Sequence, residues 1–320
     1  MIPNLRVLSF VSALLILLPL VLPGWVVFIL TKALFIFIAV LGVALFLRGG
    51  QVTFGHALFF ATGTYTVGFS VKWFEFRETL VLVPVGALTG LIMAALLGLL
   101  LARYRGVFFA MLNLAFSMIF YAILLKLYWV TGGTDGISVG TATFLGLPLP
   151  AGTYRFYYFT LIIFGFITYV VHRFLASPLG YFLRAIADNE IRIEYSGESV
   201  RNVIYFTYIL AGGLGGVSGA LGALTIGHVV PEDAFWIQSA QFVFIALLGG
   251  FEGGIFGPLM GSVAFEFIQT YSSKYFPYAW QLTLGVVMLF IILFRPGGLW
   301  AIYESLVSRF SSKAEGSTRG

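Results

Sequence analysis

The sequence has no cysteine and only three histidines, and just 10 % of its residues are charged. Without thiols there is no disulfide, no thiolate metal site and no cysteine nucleophile. His56, His172 and His228 fall on separate segments, so no metal centre is indicated. A soluble domain carries charge on roughly a quarter of its residues. At 60 % hydrophobic, with a mean hydropathy of +0.99, this chain of 320 residues is expected to be an integral membrane protein. None of its five lysines follows a GxxxxGK[ST] loop, so the chain cannot cradle nucleotide phosphates by itself. The net charge of +5 is scattered one or two residues per loop, which gives no sign of nucleic-acid binding. No cofactor is implied.

What is present is a series of apolar runs, each about as long as a helix must be to cross about 30 Å of hydrocarbon at 1.5 Å per residue. Barrel strands would be about half that length and would alternate apolar with polar residues. The runs predict helices at Leu8–Leu22, Lys32–Leu47 (starting as early as Val26), His56–Lys72, Thr79–Ala102, Gly106–Lys126, Thr153–Leu175, Val203–Ile226, Ile237–Phe251, Phe256–Tyr271 and Ala279–Phe294. The expected fold is therefore an all-α, polytopic bundle of about ten transmembrane helices. It forms one membrane domain over residues 1–308, followed by a disordered cytoplasmic tail over 309–320. Leu8–Leu22 looks like a signal peptide, but no small-x-small cleavage site follows it, and a retained first helix fits better.

Ten helices put both termini on one side. With the termini cytoplasmic, twelve basic residues lie inside and six outside, namely Lys32, Lys72, Arg77, Lys126, Arg155 and Lys274. That is the bias of the positive-inside rule, and it predicts a multi-pass cell-membrane protein with cytoplasmic ends.

The polar stretch from Ser177 to Arg201, SPLGYFLRAIADNEIRIEYSGESVR, interrupts this pattern. It holds seven of the chain's thirty-one charged residues in twenty-five positions. Read as one helix, it puts Leu183, Ile186, Glu190 and Ile193 on one face, with Arg184, Asp188 and Arg192 in an i, i+4 ladder on another. Such a helix at a membrane surface is either a docking element or a solvated loop, and its cytoplasmic placement favours docking. Glycines are the other conspicuous feature. Gly249, Gly253, Gly257 and Gly261 recur every fourth residue, and Gly212, Gly215, Gly216, Gly219 and Gly222 stud one helix. Such spacing lets backbones approach closely in lipid. Gly257-Pro258 also suits the joint of a broken or re-entrant helix.

Four stretches together resemble the permease subunits of branched-chain amino acid ABC importers, of the LivM type. They are GGQVTFGHALFFATGTYT (49–66), RYRGVFFAMLNLAFSMIF (103–120) running on to TGGTDGI (131–137), SPLGYFLRAIADNEIRIEYSG (177–197), and LLGGFEGGIFGPLMG (247–261) with LFRPGGL (293–299). The resemblance implies an importer of leucine, isoleucine and valine, not an enzyme in its own right. In it this chain would pair with a homologous second permease subunit, two cytoplasmic ABC ATPase subunits and an extracytoplasmic substrate-binding protein. Similar permeases serve urea, short amides or other amino acids. The resemblance makes the cytoplasmic stretch an ATPase-coupling motif, with Arg184, Ile186, Asn189, Glu190 and Gly197 matching. The family pattern has two alanines after the Glu-Ile pair; here Arg192 and Ile193 stand in their place.

Polar groups inside apolar spans are costly, so each one needs a reason. Gln51, Thr53 and His56 precede or open the third helix, where they face a vestibule or bond a helix end. Asn113 and Ser117 lie one turn apart and either line a path or bond a neighbouring helix. Asp135, in an Asp-Gly pair, meets the binding protein or fixes a turn. Glu266 is the only acid deep in a span, and a structural pair with a base is expected over a proton relay. The rival readings are a proton-coupled secondary transporter or channel using Glu266 and His56, and an intramembrane protease built on Ser218 in a GxSG pattern.

Overall fold

The computed structural model describes residues 14–250, 253–294 and 297–302, with the side chains of 291 and 292 left outside that description. The expected tail over 309–320, the start of the first helix and the end of the membrane domain all lie outside these residues. A helix over 14–21 (α1) leads into α2 (Gly24–Arg48), α3 (His56–Phe74), α4 (Thr79–Leu101) and α5 (Gly106–Lys126). After the short α6 (Tyr128–Thr131) come α7 (Tyr154–Leu175), α8 (Pro178–Asp188), α9 (Glu190–Tyr195) and α10 (Val200–Ile226). The described chain continues with α11 (Trp236–Gly249), α12 (Phe256–Tyr275) and α13 (Trp280–Phe294). Among the described residues, α2, α4, α5, α7 and α10 are each long and apolar enough to cross a membrane. The molecule is an all-α membrane bundle.

The packing centre is α10, clamped by α2, α3 and α4. Lipid offers no hydrophobic drive between helices, so close backbone approach has to hold them. A methyl group at Gly216 would run into the Gly86 carbonyl, and one at Gly63 would run into Gly216 itself. These helices can cross at this distance only because both contacting positions are glycine. Across the α10–α2 contact the Ser218 hydroxyl donates to the Phe35 carbonyl at 2.6 Å. Ser218 is thus committed to helix packing, and the structure pairs it with no histidine base.

Two ends of the bundle can be told apart. At one, α2 starts beside Gly152, and β1 (Ile137–Ser138) pairs antiparallel with β4 (His228–Val229). Here also β2 (Ala142–Phe144) and β3 (Leu147–Leu149) form a hairpin. We call this the hairpin end. At the other, Gly49 and Gly50 beyond α2 pack on Leu183 and Ala187 of α8. We call it the stretch end.

Four expectations are corrected. Lys32, counted among the outside basic residues at the start of its helix, lies two turns inside α2, because that helix starts at Gly24. Residues 177–201 do not make one helix, because Asn189 is extended (φ −164°, ψ 105°) and separates α8 from α9. The Asp188–Arg192 step of the charge ladder therefore does not form along one helix. The segment around Pro231, expected as a short loop, forms a turn over Pro231–Ala234 with both end residues buried, packed against α3 and α5. Gly257-Pro258 lies in the first turn of α12, where proline is tolerated, and the break falls between α11 and α12 instead.

Candidate functional site

At the stretch end, Leu183, Ile186 and Ile193 are buried with Ala102, Val200, Val203 and Ile204 in one apolar cluster. This seam fixes α8 and α9 to the bundle and turns their other face outward, where Arg184, Asp188, Asn189, Arg192 and Glu194 are exposed. Of the expected coupling residues, Ile186 therefore anchors α8 to the bundle, while Arg184 is exposed. The Asn189 side chain accepts from the Arg192 backbone N–H at 3.1 Å and so starts α9. Gly197 has φ +90° with open space where a Cβ would stand, so glycine is needed there for the turn and not for room.

Glu190 lies 3.2 Å from Arg105 Nε. With 26 % of the Arg105 side chain and 36 % of the Glu190 side chain exposed, such a pair contributes little stability, about 0.2 to 1 kcal/mol. Its geometry is more informative. Arg105 also donates from Nη1 to the Ala102 and Tyr104 carbonyls, both at 2.8 Å. The guanidinium thus ties α9 to the α4–α5 corner. Beside it, Gln51 Oε1 accepts from the Gly106 N–H at 2.9 Å, and Gly106 has φ +54°. Nothing local in the sequence marks Arg105 as the partner of Glu190, 85 residues further on.

The next polar group is a seam along α5. Its buried residues are Phe109, Asn113, Ser117 and Leu124, a single narrow stripe. Asn113 Oδ1 accepts from the Tyr208 hydroxyl of α10 at 2.6 Å, and its amide donates to Phe109 O at 2.7 Å. The Ser117 hydroxyl donates to the Ala234 carbonyl at 2.7 Å. At the base of the seam, a methyl at Gly55 would meet the Asn113 carbonyl, and the Ala57 N–H at the start of α3 donates to Ser239 Oγ at 2.8 Å. His56 is fully buried, edge-on to Phe59 and Phe242, on the Ala39 side of α2. Gln51 and Asn113 thus both lie where the 49–55 segment meets α5, whereas His56 faces α2 and Phe242 of α11, and Ser117 bonds the turn at Ala234. Two apolar grooves flank α5. One of about 620 Å³ runs along Gly50, Val52, Phe54, Val107, Met111 and Leu114. The other, of about 290 Å³, lies between α5 and α4 over Tyr65, Thr66 and Thr89. The four polar candidates line neither groove in this conformation.

Glu266 stands apart from them. It is fully buried on α12, and its Oε2 lies 2.9 Å from Lys32 Nζ of α2. A base within ion-pair distance is what permits an acid at this depth.

At the hairpin end, Asp135 accepts from the Tyr128 hydroxyl at 3.1 Å, in a turn whose Gly132, Gly133 and Gly136 all have positive φ. Asp135 remains exposed. Glu78, which the sequence did not single out, accepts the Gly146 N–H at 2.7 Å and the Leu145 N–H at 2.9 Å. These backbone donors, Gly146 first, hold its carboxyl below the usual glutamate range.

Residues 25–293 match the family described as the branched-chain amino acid transport system / permease component. The high-affinity branched-chain amino acid transport system permease protein LivM of Salmonella typhimurium is 26 % identical over 290 residues, covering 83 % of this chain and 68 % of that protein. LivM of Escherichia coli is 26 % identical over 273 residues, covering 78 % of this chain and 64 % of that protein. A probable LivM of Methanocaldococcus jannaschii is 26 % identical over 53 % of each chain. The matched segment thus spans about two thirds of the two bacterial relatives. No solved structure matches.

Proposed function

The chain belongs to the branched-chain amino acid transport permease family, and from that premise we propose that it is the membrane subunit of an ATP-driven importer of leucine, isoleucine and valine. The observation that carries the reading is the two-helix element over Pro178–Tyr195. Its apolar residues are sealed onto the bundle, while its charged residues, Arg184 among them, face outward with Asn189. A surface helix fixed on one side and polar on the other suits a soluble partner that pushes on it. That partner is a pair of cytoplasmic ATPases, which supply the nucleotide site this sequence lacks. The stretch end and both termini are then cytoplasmic, in keeping with the bias of basic residues. At the hairpin end the exposed Asp135 turn meets a substrate-binding protein, and a homologous permease subunit completes the pathway. ATPase closure moves the stretch end, and the helices carry that motion to the pathway as alternating access.

The test is purification of the tagged chain from its native membranes in mild detergent, followed by mass spectrometry and uptake assays in liposomes. The expected result is recovery of two nucleotide-binding subunits and a second permease, with ATP-dependent uptake of leucine and loss of the ATPases on Arg184→Glu. Recovery of the chain alone, moving solute without ATP, would promote a secondary transporter. ATP-driven uptake of urea or short amides but not of leucine would keep the importer and change its substrate.

A further inference from the structure

α8 and α9 share the apolar seam at the start of α10, and beyond it each reaches a different part of the bundle. α8 sits on the turn after α2, where Gly49 and Gly50 face Leu183 and Ala187. Since α2 is buried along most of its length, α8 is seated on the fixed core. α9 reaches the start of α5 through the Glu190–Arg105 pair. Between them Asn189 is extended and breaks the helix, so α9 is joined to α8 by one extended residue and sealed to the bundle through a single buried side chain, Ile193.

α5 is held along one narrow stripe, in which Phe109 packs on Phe46 and Tyr208 and two directional hydrogen bonds join Asn113 to Tyr208 and Ser117 to Ala234, while at its start the Gly106 N–H is held by Gln51. Grooves of about 620 and about 290 Å³ lie on its two flanks. It begins at Gly106, whose positive φ marks a sharp corner and whose missing Cβ would meet nothing within 4 Å.

We infer that Arg105 is a positioning residue that passes movement of α9 into α5, with Gly106 as the corner and the Asn113–Ser117 seam as the pivot. The inference rests on the importer reading. When an ATPase shifts the exposed face of α9, Glu190 draws Arg105 and the first turn of α5 with it. α8 stays on the core, and the lever arm swings into one flanking groove. A weak ion pair suits this role, because it gives direction without freezing either state.

The absence of cysteine makes the test direct, since two introduced cysteines carry the only labels on this chain when it is labelled before assembly with its partners. Spin labels at Ile119→Cys on α5 and Phe206→Cys on α10, both exposed positions, report the separation of the two helices in the assembled complex in liposomes. The wild-type separation is expected to shift between the nucleotide-free and the ATP/vanadate-trapped states, and the shift is expected to vanish in Arg105→Gln. In parallel, Arg105→Glu should lower ATP-driven uptake roughly tenfold, within the usual span of a coupling effect. ATP hydrolysis and the recovered subunits should be unchanged, and Arg105→Glu with Glu190→Arg should restore most of the uptake. Unchanged uptake in Arg105→Glu, a swap that does not rescue, or a label shift that persists in Arg105→Gln overturns the inference. Loss of the ATPases from Arg105→Glu also overturns it, because the pair would then shape the docking surface, and the importer reading would stand. Wild-type uptake that needs no ATP removes both, and it is seen before any variant is compared.

Discussion

α10 and α5 are both apolar helices long enough to cross the same membrane, yet they are held by different physics. Twenty of the 27 residues of α10 are buried. Only four of the 21 residues of α5 are. α10 carries glycines at 212, 213, 215, 216, 219 and 222, and its neighbours answer with Gly63, Gly86 and Gly90, so backbone packs on backbone. α5 has no glycine after Gly106 and presents Phe108, Met111 and Ile119 outward. It is held along one narrow stripe, by the packing of Phe109 and Leu124 and by hydrogen bonds from two polar side chains. Close packing resists displacement in every direction, since each contact is lost as surfaces separate. A few directional bonds fix one position and can be exchanged for another. One bundle thus contains a rigid hub and a hinged arm.

The largest expected effect tests the hub through its buried charges. Lys32→Met should destabilise the protein, since it leaves the fully buried Glu266 without its partner; with the Lys32 side chain 26 % exposed, the loss should fall at or below the about 3 to 5 kcal/mol of a pair buried on both sides. The double change Lys32→Met with Glu266→Leu should recover most of that loss. Thermal unfolding in detergent reads both, and a double variant no better than the single would mean the pair is not what holds α12 to α2.

Next comes the glycine weld. Gly216→Ala should destabilise by about 1 to 3 kcal/mol, the usual cost of overpacking, whereas Gly165→Ala on α7, where a Cβ would meet nothing within 4 Å, should be neutral or slightly stabilising. Equal losses at the two positions would dissolve the contrast between hub and periphery.

On the arm, Tyr208→Phe leaves the Asn113 carbonyl oxygen without its donor, a loss of about 1 to 3 kcal/mol for a buried group. The change is expected to alter transport more than melting temperature, because the arm can detach while the hub stays folded. A fall in both by the same proportion would argue that α5 is part of one cooperative core.

The smallest effect is at the hairpin end and depends on pH. Glu78 has its carboxyl lowered by backbone donors, so its contribution is present above the usual glutamate value and is lost as pH falls through the depressed one. Amide exchange at residues 145 and 146 should therefore quicken, relative to the rest of the chain, on acidification below about pH 4.5. Glu78→Gln should show faster exchange at neutral pH and lose that acid dependence. An acid response unchanged in Glu78→Gln would place its origin elsewhere.

The helix spans were legible because apolar runs of membrane length admit few other structures. The starts of α3, α5 and α12 came out at the residues the runs gave, since each follows a glycine-rich or charged break in the sequence. The polar candidates Gln51, Asn113 and Ser117 stood out because polarity inside an apolar run is costly. Their partners did not. Tyr208 sits in a glycine-studded helix where its hydroxyl leaves no pattern, and Ala234 contributes a carbonyl that every residue has.

Sequence by itself determined that this is a multi-helix membrane protein, and it set one charged stretch, Ser177 to Arg201, apart from the apolar spans on either side. Those conclusions follow from composition and run length, which do not depend on who packs against whom. Tertiary structure decided that Asn189 divides that stretch, that Lys32 answers Glu266, and that Glu190 holds Arg105. Each joins residues far apart in the chain or turns on one backbone torsion, and pairing of that kind is set by the packed bundle, which local pattern does not encode.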